Sequence, residues 1–100
     1  MVDDCIFCKI IAGDIPSSKV YEDDEVLAFL DISQVTPGHT LVVPKKHARN
    51  LLEMDETATA QLFARVSKVA KKVEAATQAK GMNIISNMEE VSGQTVFHTH

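Results

Sequence analysis

The chain has little of several things. In 100 residues there are two cysteines, three prolines, four glycines and no tryptophan. So few glycines and prolines exclude a collagen-like or low-complexity chain. Two cysteines cannot build a disulfide framework. No apolar run approaches the ~18 residues of a membrane span, the longest being the five residues Val26 to Leu30. The start, Met1-Val2-Asp3-Asp4, is acidic and has no apolar signal-peptide segment. These absences together predict a cytoplasmic protein, with neither membrane nor secretory targeting. Positive charge is also short. Lys and Arg number 10 against 14 Asp and Glu, a net charge of −4, which argues against binding nucleic acid by phosphate neutralisation. A small anionic ligand needs only local donors and stays open.

What is present is ordinary globular material: 45% hydrophobic and 24% charged residues. One domain over residues 1–100 is expected, since a chain this long buries roughly two-thirds of its extended surface. Cys5 to Ala12 reads as a short amphipathic helix with Asp4 as N-cap and Gly13 as stop. Lys19 to Glu22 and Glu25 to Leu30 read as strands around a turn at Asp23-Asp24. A loop over Asp31 to Gly38 precedes a strand from His39 to Val43, stopped by Pro44. Asp55 to Lys80 carries Leu62, Val66, Val69, Ala70, Val73 and Ala76 at helical spacing, with Gly81 in the C′ position. Met82 to Ser86 and Thr95 to His100 read as further strands around a polar loop, Asn87 to Gln94. The order α-β-β-β-α-β-β gives an α+β domain with a mostly antiparallel sheet.

The chemistry-bearing residues each admit a plain and a functional reading. His98 and His100, two apart on an expected strand, share a face with Cα atoms ~6.6 Å apart; they are a solvated pair or a site. Cys5-Ile6-Phe7-Cys8 is a redox pair, half of a zinc site with His47 and His98, or two small buried side chains. Gly93-Gln94-Thr95 is an ordinary turn or a phosphate cradle of N–H groups, an amide and a hydroxyl. Asp31 caps a loop or accepts two ribose hydroxyls. Phe7, Ile10, Phe29 and Ile32 are core unless a pocket claims them. Lys45-Lys46 reads as a solvated pair.

Taken in order, four blocks resemble the histidine triad (HIT) family of nucleotide hydrolases and transferases, over nearly the whole chain. They are Cys5-Ile-Phe-Cys8-Lys-Ile-Ile with Ile15-Pro16; Val20 to Ile32; Pro37-Gly-His39-Thr-Leu-Val-Val-Pro44-Lys-Lys-His47; and Gly93-Gln-Thr-Val-Phe-His98-Thr-His100. The family signature is His-φ-His-φ-His-φ-φ, with φ apolar. His98 and His100 match the first two histidines, and Thr99 is less apolar than the pattern. The third histidine would fall two residues beyond His100, so the natural chain is expected to continue.

The resemblance implies a HIT-like fold, with a five-stranded antiparallel sheet, a short N-terminal helix and one long helix. It implies cleavage of nucleoside-5′-phosphoryl–X substrates, phosphoramidates or dinucleoside polyphosphates, through a nucleotidyl-histidine on His100. Gln94, Thr95 and the N–H groups from Gly93 to Thr95 would donate to the phosphate. Asp31 would hold the ribose of a purine nucleotide between Ile6, Phe7, Ile10, Phe29, Ile32 and Leu41, with His39 near the base and Asn87 near the ribose-phosphate. Cys5, Cys8, His47 and His98 would hold structural zinc, with no catalytic metal. A homodimer is implied, sharing the Met82 to Ser86 edge and the long helix. The rival reading is a zinc-stabilised purine-nucleotide-binding regulatory module with little turnover.

Overall fold

The structure is a computed structural model that describes residues 4–33 and 36–100. The N-terminal residues 1–3, and residues 34 and 35 of the loop expected over Asp31 to Gly38, lie outside the described residues.

Helix α1 spans Ile6–Ala12. Its N-cap is Cys5, not Asp4 as expected: Cys5 Sγ accepts from the Cys8 N–H at 3.3 Å. The helix stops at Gly13, whose φ of 86° is a left-handed value that glycine adopts without steric cost. Phe7, Cys8 and Ile10 form its buried face.

Strands β1 (Lys19–Glu22), β2 (Val26–Leu30) and β3 (Thr40–Pro44) make an antiparallel sheet in the order β1-β2-β3. Asp23 sets the first hairpin by accepting the Glu25 and Val26 N–H groups at 2.8 and 2.9 Å, an Asx turn. The register then pairs Glu22 with Leu27, and Val26 with Pro44 through Leu30 with Thr40. The central strand β2 is apolar throughout and buried from Val26 to Phe29, as a strand covered on both faces requires. Leu27, Phe29 and Val43 join Cys5, Phe7, Cys8 and Ile10 in one core cluster.

Helix α2 spans Glu56–Thr77 and packs against β2 and β3. Asp55 caps it through the Ala58 N–H at 2.7 Å. Leu62 and Val69 are buried and Ala76 is exposed. The helix ends three residues before the expected Lys80. Thr77 Oγ1 donates to the Val73 carbonyl at 2.8 Å, and Gln78 turns left-handed with φ 56°, so Gly81 is not needed as the stop. Among the described residues no helix is long and apolar enough to cross a membrane.

The five-stranded expectation is corrected to three strands among the described residues. Neither Met82 to Ser86 nor Thr95 to His100 forms a ladder. Met82, Ile84 and Ile85 stand 46%, 63% and 74% exposed. Alternating apolar residues measure fitness for a half-buried pleat, and the ladder still needs a partner. The last segment instead runs beside residues 44–48 through isolated bonds, such as Thr99 N–H to the Ala48 carbonyl at 2.8 Å. Between them, two short 3₁₀ turns, Leu51–Glu53 and Glu90–Ser92, complete the chain.

Candidate metal centre and nucleotide pocket

The N-terminus of α1 supplies Cys5 and Cys8, the stretch after β3 supplies His47, and the final segment supplies His98. Their ligand atoms all lie within 4.8 Å of one another. Cys5 Sγ is 3.3 Å and Cys8 Sγ 3.6 Å from His98 Nδ1, Cys8 Sγ is 3.4 Å from His47 Nδ1, and the two Nδ1 atoms are 3.1 Å apart. Ligands placed tetrahedrally around zinc, with bonds of ~2.3 Å to sulfur and ~2.0–2.1 Å to nitrogen, lie ~3.3–3.8 Å from each other. The set therefore fits a tetrahedral divalent ion. His98 Nε2 lies 2.8 Å from the Pro44 carbonyl, so it carries the proton and turns the Nδ1 lone pair to the centre. Burial pushes the His98 imidazole down from its ordinary value, which keeps it a neutral ligand, and pushes the Cys5 thiol up. Two thiols and two imidazole lone pairs facing one another, unbridged by any disulfide, are organised for a cation, which would reverse the thiol shift.

Phe7 ties this centre to the second histidine. Its ring stands edge-on to His98 at 5.9 Å, to His100 at 5.0 Å and to Phe29 at 5.7 Å. The two histidines thus meet one ring, although no strand places them there. His100 Nδ1 is 2.8 Å from the His98 carbonyl. That carbonyl fixes the proton on Nδ1 and leaves Nε2 with its lone pair.

His100 lines a cavity of about 800 Å³ together with Ile6, Phe7, Ile10, Phe29, Asp31, Ile32, Leu41 and Thr95, a volume suited to a nucleotide-sized ligand. Asp31 caps its loop and also lines this cavity. Its Oδ1 accepts the Ser33 N–H at 3.1 Å, and its Oδ2 lies 3.7 Å from His39 Nε2. His39 is exposed and meets the pocket through Asp31. Asn87 lies outside the cavity lining and abuts Gly93, its Nδ2 being 3.4 Å from where a Cβ on Gly93 would sit.

The phosphate cradle differs most from expectation. The Gln94 side chain is buried, with both amide hydrogens committed to the Arg49 and Val96 carbonyls at 2.5 and 3.0 Å. Its Oε1 accepts from Asn50 Nδ2 and the Glu89 N–H. A side chain so engaged has no donor left for a phosphate. The Gly93 and Gln94 N–H groups bond to the Glu90 and Glu89 carbonyls. Of the expected donors, Thr95 is the one that lines the cavity with His100.

Sequence reasoning missed Arg49, Asn50 and Glu89. Arg49 grips Glu89 through Nε and Nη2 at 2.8 and 3.0 Å and stacks 4.3 Å over the Phe97 ring. Arg49, then Asn50, hold the Glu89 carboxyl below the usual carboxylate range. The available signal was proximity: a polar pair two residues after a candidate metal-ligand histidine.

Comparison with known proteins agrees with this fold. The model of the HIT domain matches residues 12–100. The Bacillus subtilis protein "Protein hit" is 55% identical over 98 residues, covering 98% of this chain and 68% of its own length. The adenylylsulfatase HINT3 of Arabidopsis thaliana is 38% identical over 98 residues, covering 98% of this chain and 50% of that protein. Among solved structures, a Streptococcus mutans UA159 protein superposes with a TM-score of 0.96 at 66% identity. The alignment covers 98% of this chain, which spans only 62% of that one.

Proposed function

The chain belongs to the HIT domain family, whose proteins bind nucleotides, and from that premise we propose that it cleaves nucleoside-5′-phosphoryl–X substrates with His100 as nucleophile. The observation that carries this reading is the 2.8 Å contact from His100 Nδ1 to the His98 carbonyl, on a residue that lines the pocket holding Asp31. His100 Nε2 attacks the α-phosphorus, the N–P bond forms and the P–X bond breaks, with X leaving as it takes a proton from solvent. Water then attacks phosphorus and releases a proton to solvent, the N–P bond breaks, and the nucleoside monophosphate departs as imidazole is restored. Neutral imidazole suits both halves, as nucleophile and as leaving group. Thr95 donates to the non-bridging oxygens as charge develops. Asp31 orients the ribose, and Ile6, Phe7, Ile10, Phe29, Ile32 and Leu41 enclose a purine. Phosphoramidates and dinucleoside polyphosphates are the substrates, and the adenylylsulfatase relative supports an adenylyl–X class.

Cys5, Cys8, His47 and His98 would hold zinc. A closed set of two thiolates and two imidazoles makes it a structural ion with no position for substrate. Reduced, metal-holding cysteines suit a cytoplasmic setting. The exposed Met82, Ile84 and Ile85 side chains support a homodimer, since an exposed apolar patch tends to be covered.

The test is AMP release from adenosine 5′-phosphoramidate by the wild type and by His100→Ala. Turnover should fall by about 10³-fold or more in the variant, while AMP affinity is retained. AMP binding without release by the wild type would instead favour a nucleotide-binding regulatory module.

A further inference from the structure

We infer that Glu89 is a positioning residue that latches the phosphate-facing loop in place, an inference that rests on the reading of His100 above. Glu89 has φ 75° and ψ 157°. Gln78, the other non-glycine residue with positive φ among those described, ends a helix in the ordinary left-handed region. Glu89 is outside that region, where glycine is nearly alone. A side chain persists there only if its surroundings over-determine it.

They do so from both sides. Arg49 binds the carboxylate in a two-pronged grip at 2.8 and 3.0 Å, and Asn50 Nδ2 donates to it at 2.7 Å. The Glu89 N–H donates to Gln94 Oε1 at 2.8 Å. The Glu89 carbonyl accepts from the Ser92 and Gln94 N–H groups at 3.1 and 3.2 Å and from Ser92 Oγ at 2.9 Å. An exposed ion pair alone would contribute little. This one closes onto two buried amide side chains, Asn50 and Gln94, which are 2% and 1% exposed, where each unmade bond is costly.

Residues 47–50 form the other half of the latch. His47 faces His98, the Ala48 carbonyl takes the Thr99 N–H, and Arg49 and Asn50 take Glu89 and Gln94. The stretch from Glu89 to Thr99 is thereby registered at both ends against one short segment. Thr95 is carried between those ends, facing the cavity that His100 lines. Glycine in place of Glu89 would accept the backbone angles and hold nothing.

The experiment uses metal-loaded full chain and the variants Glu89→Ala, Glu89→Gly and Arg49→Gln, with Lys19→Ala as control. It reads kcat and KM on adenosine 5′-phosphoramidate, melting temperature, and amide exchange at Ser92, Gln94 and Val69. In Glu89→Ala, kcat should fall by about tenfold to a hundredfold. KM should stay within about twofold. Exchange at Ser92 and Gln94 should quicken while Val69 in α2 does not change. Arg49→Gln should repeat this pattern from the other side of the pair. Glu89→Gly should recover melting temperature over Glu89→Ala without recovering kcat, a split that a purely structural role would not give. Wild-type kcat and exchange in Glu89→Ala, or full kcat in Glu89→Gly, would overturn the inference. If the wild type releases no AMP, the nucleophile reading fails by itself, and unchanged exchange in Arg49→Gln and Glu89→Ala would separately remove the latch.

Discussion

The sheet and the C-terminal stretch are held in place by different means. Strands β1, β2 and β3 are ordered by a backbone ladder, with an Asx turn setting the first register and a buried apolar strand at the centre. From Met82 to His100 there is no ladder. That stretch is placed by side chains: His98 in the Cys/His cluster, Thr99 on Ala48, Gln94 and Glu89 on residues 49 and 50. A ladder tolerates changes of side chain as long as the pattern survives. A stretch held by a few polar atoms fails when one of them is lost. The candidate chemistry sits in the second kind of region, which gives each pinning residue a larger share in function.

The strongest way to break the comparison is to remove the proposed ion. The loaded protein should carry one zinc per chain by elemental analysis. Chelation or Cys8→Ala should destabilise it by more than about 5 kcal/mol, with amide exchange quickening in residues 95–100 before it quickens in β2. Simultaneous loosening of both regions would mean that the cluster and the sheet form one cooperative unit.

Next is Leu27→Ala, at a fully buried site in the ladder-built region. It should cost about 2–5 kcal/mol, read as a lower urea midpoint with no selective loosening of the C-terminal stretch.

The smallest effect sharpens the electrostatics of the sheet. Lys19 and Lys45, each 2.9 Å from Glu22, hold its carboxyl down at about 2 against an ordinary 4.5. A lowered folded value stabilises above the unfolded one, so this contribution is complete above pH 4.5 and is lost as pH falls towards 2. Glu22→Gln should flatten that part of the acid-unfolding curve. An unchanged curve would show that the pairs are screened by solvent.

Much of the site was legible because its residue types are scarce and specific. Two cysteines in C-x-x-C with two later histidines leave a redox pair, a packed pair or a metal set, and the fold brings the four together. Asp31, Phe7 and Phe29 were ambiguous one by one, and the shared cavity with His100 is what combines their readings. Gln94 was misread, since an amide beside a glycine looks alike whether it faces ligand or protein. Glu89 gave no signal, because nothing in a Met-Glu-Glu-Val run announces a positive φ.

The chain's own pattern determined the short helix, the three paired strands and the long helix, since each follows from periodicity, a cap or a turn acting within a few residues. It also determined the residue types of the candidate metal set. Only the tertiary structure decided that Met82 to Ser86 and Thr95 to His100 stay out of the ladder, that Gln94 turns inward, and that Arg49 and Asn50 hold Glu89 where glycine would ordinarily stand. Those outcomes depend on partners about 40 or more residues away in the chain, and closing such distances is the part of folding that local pattern leaves open.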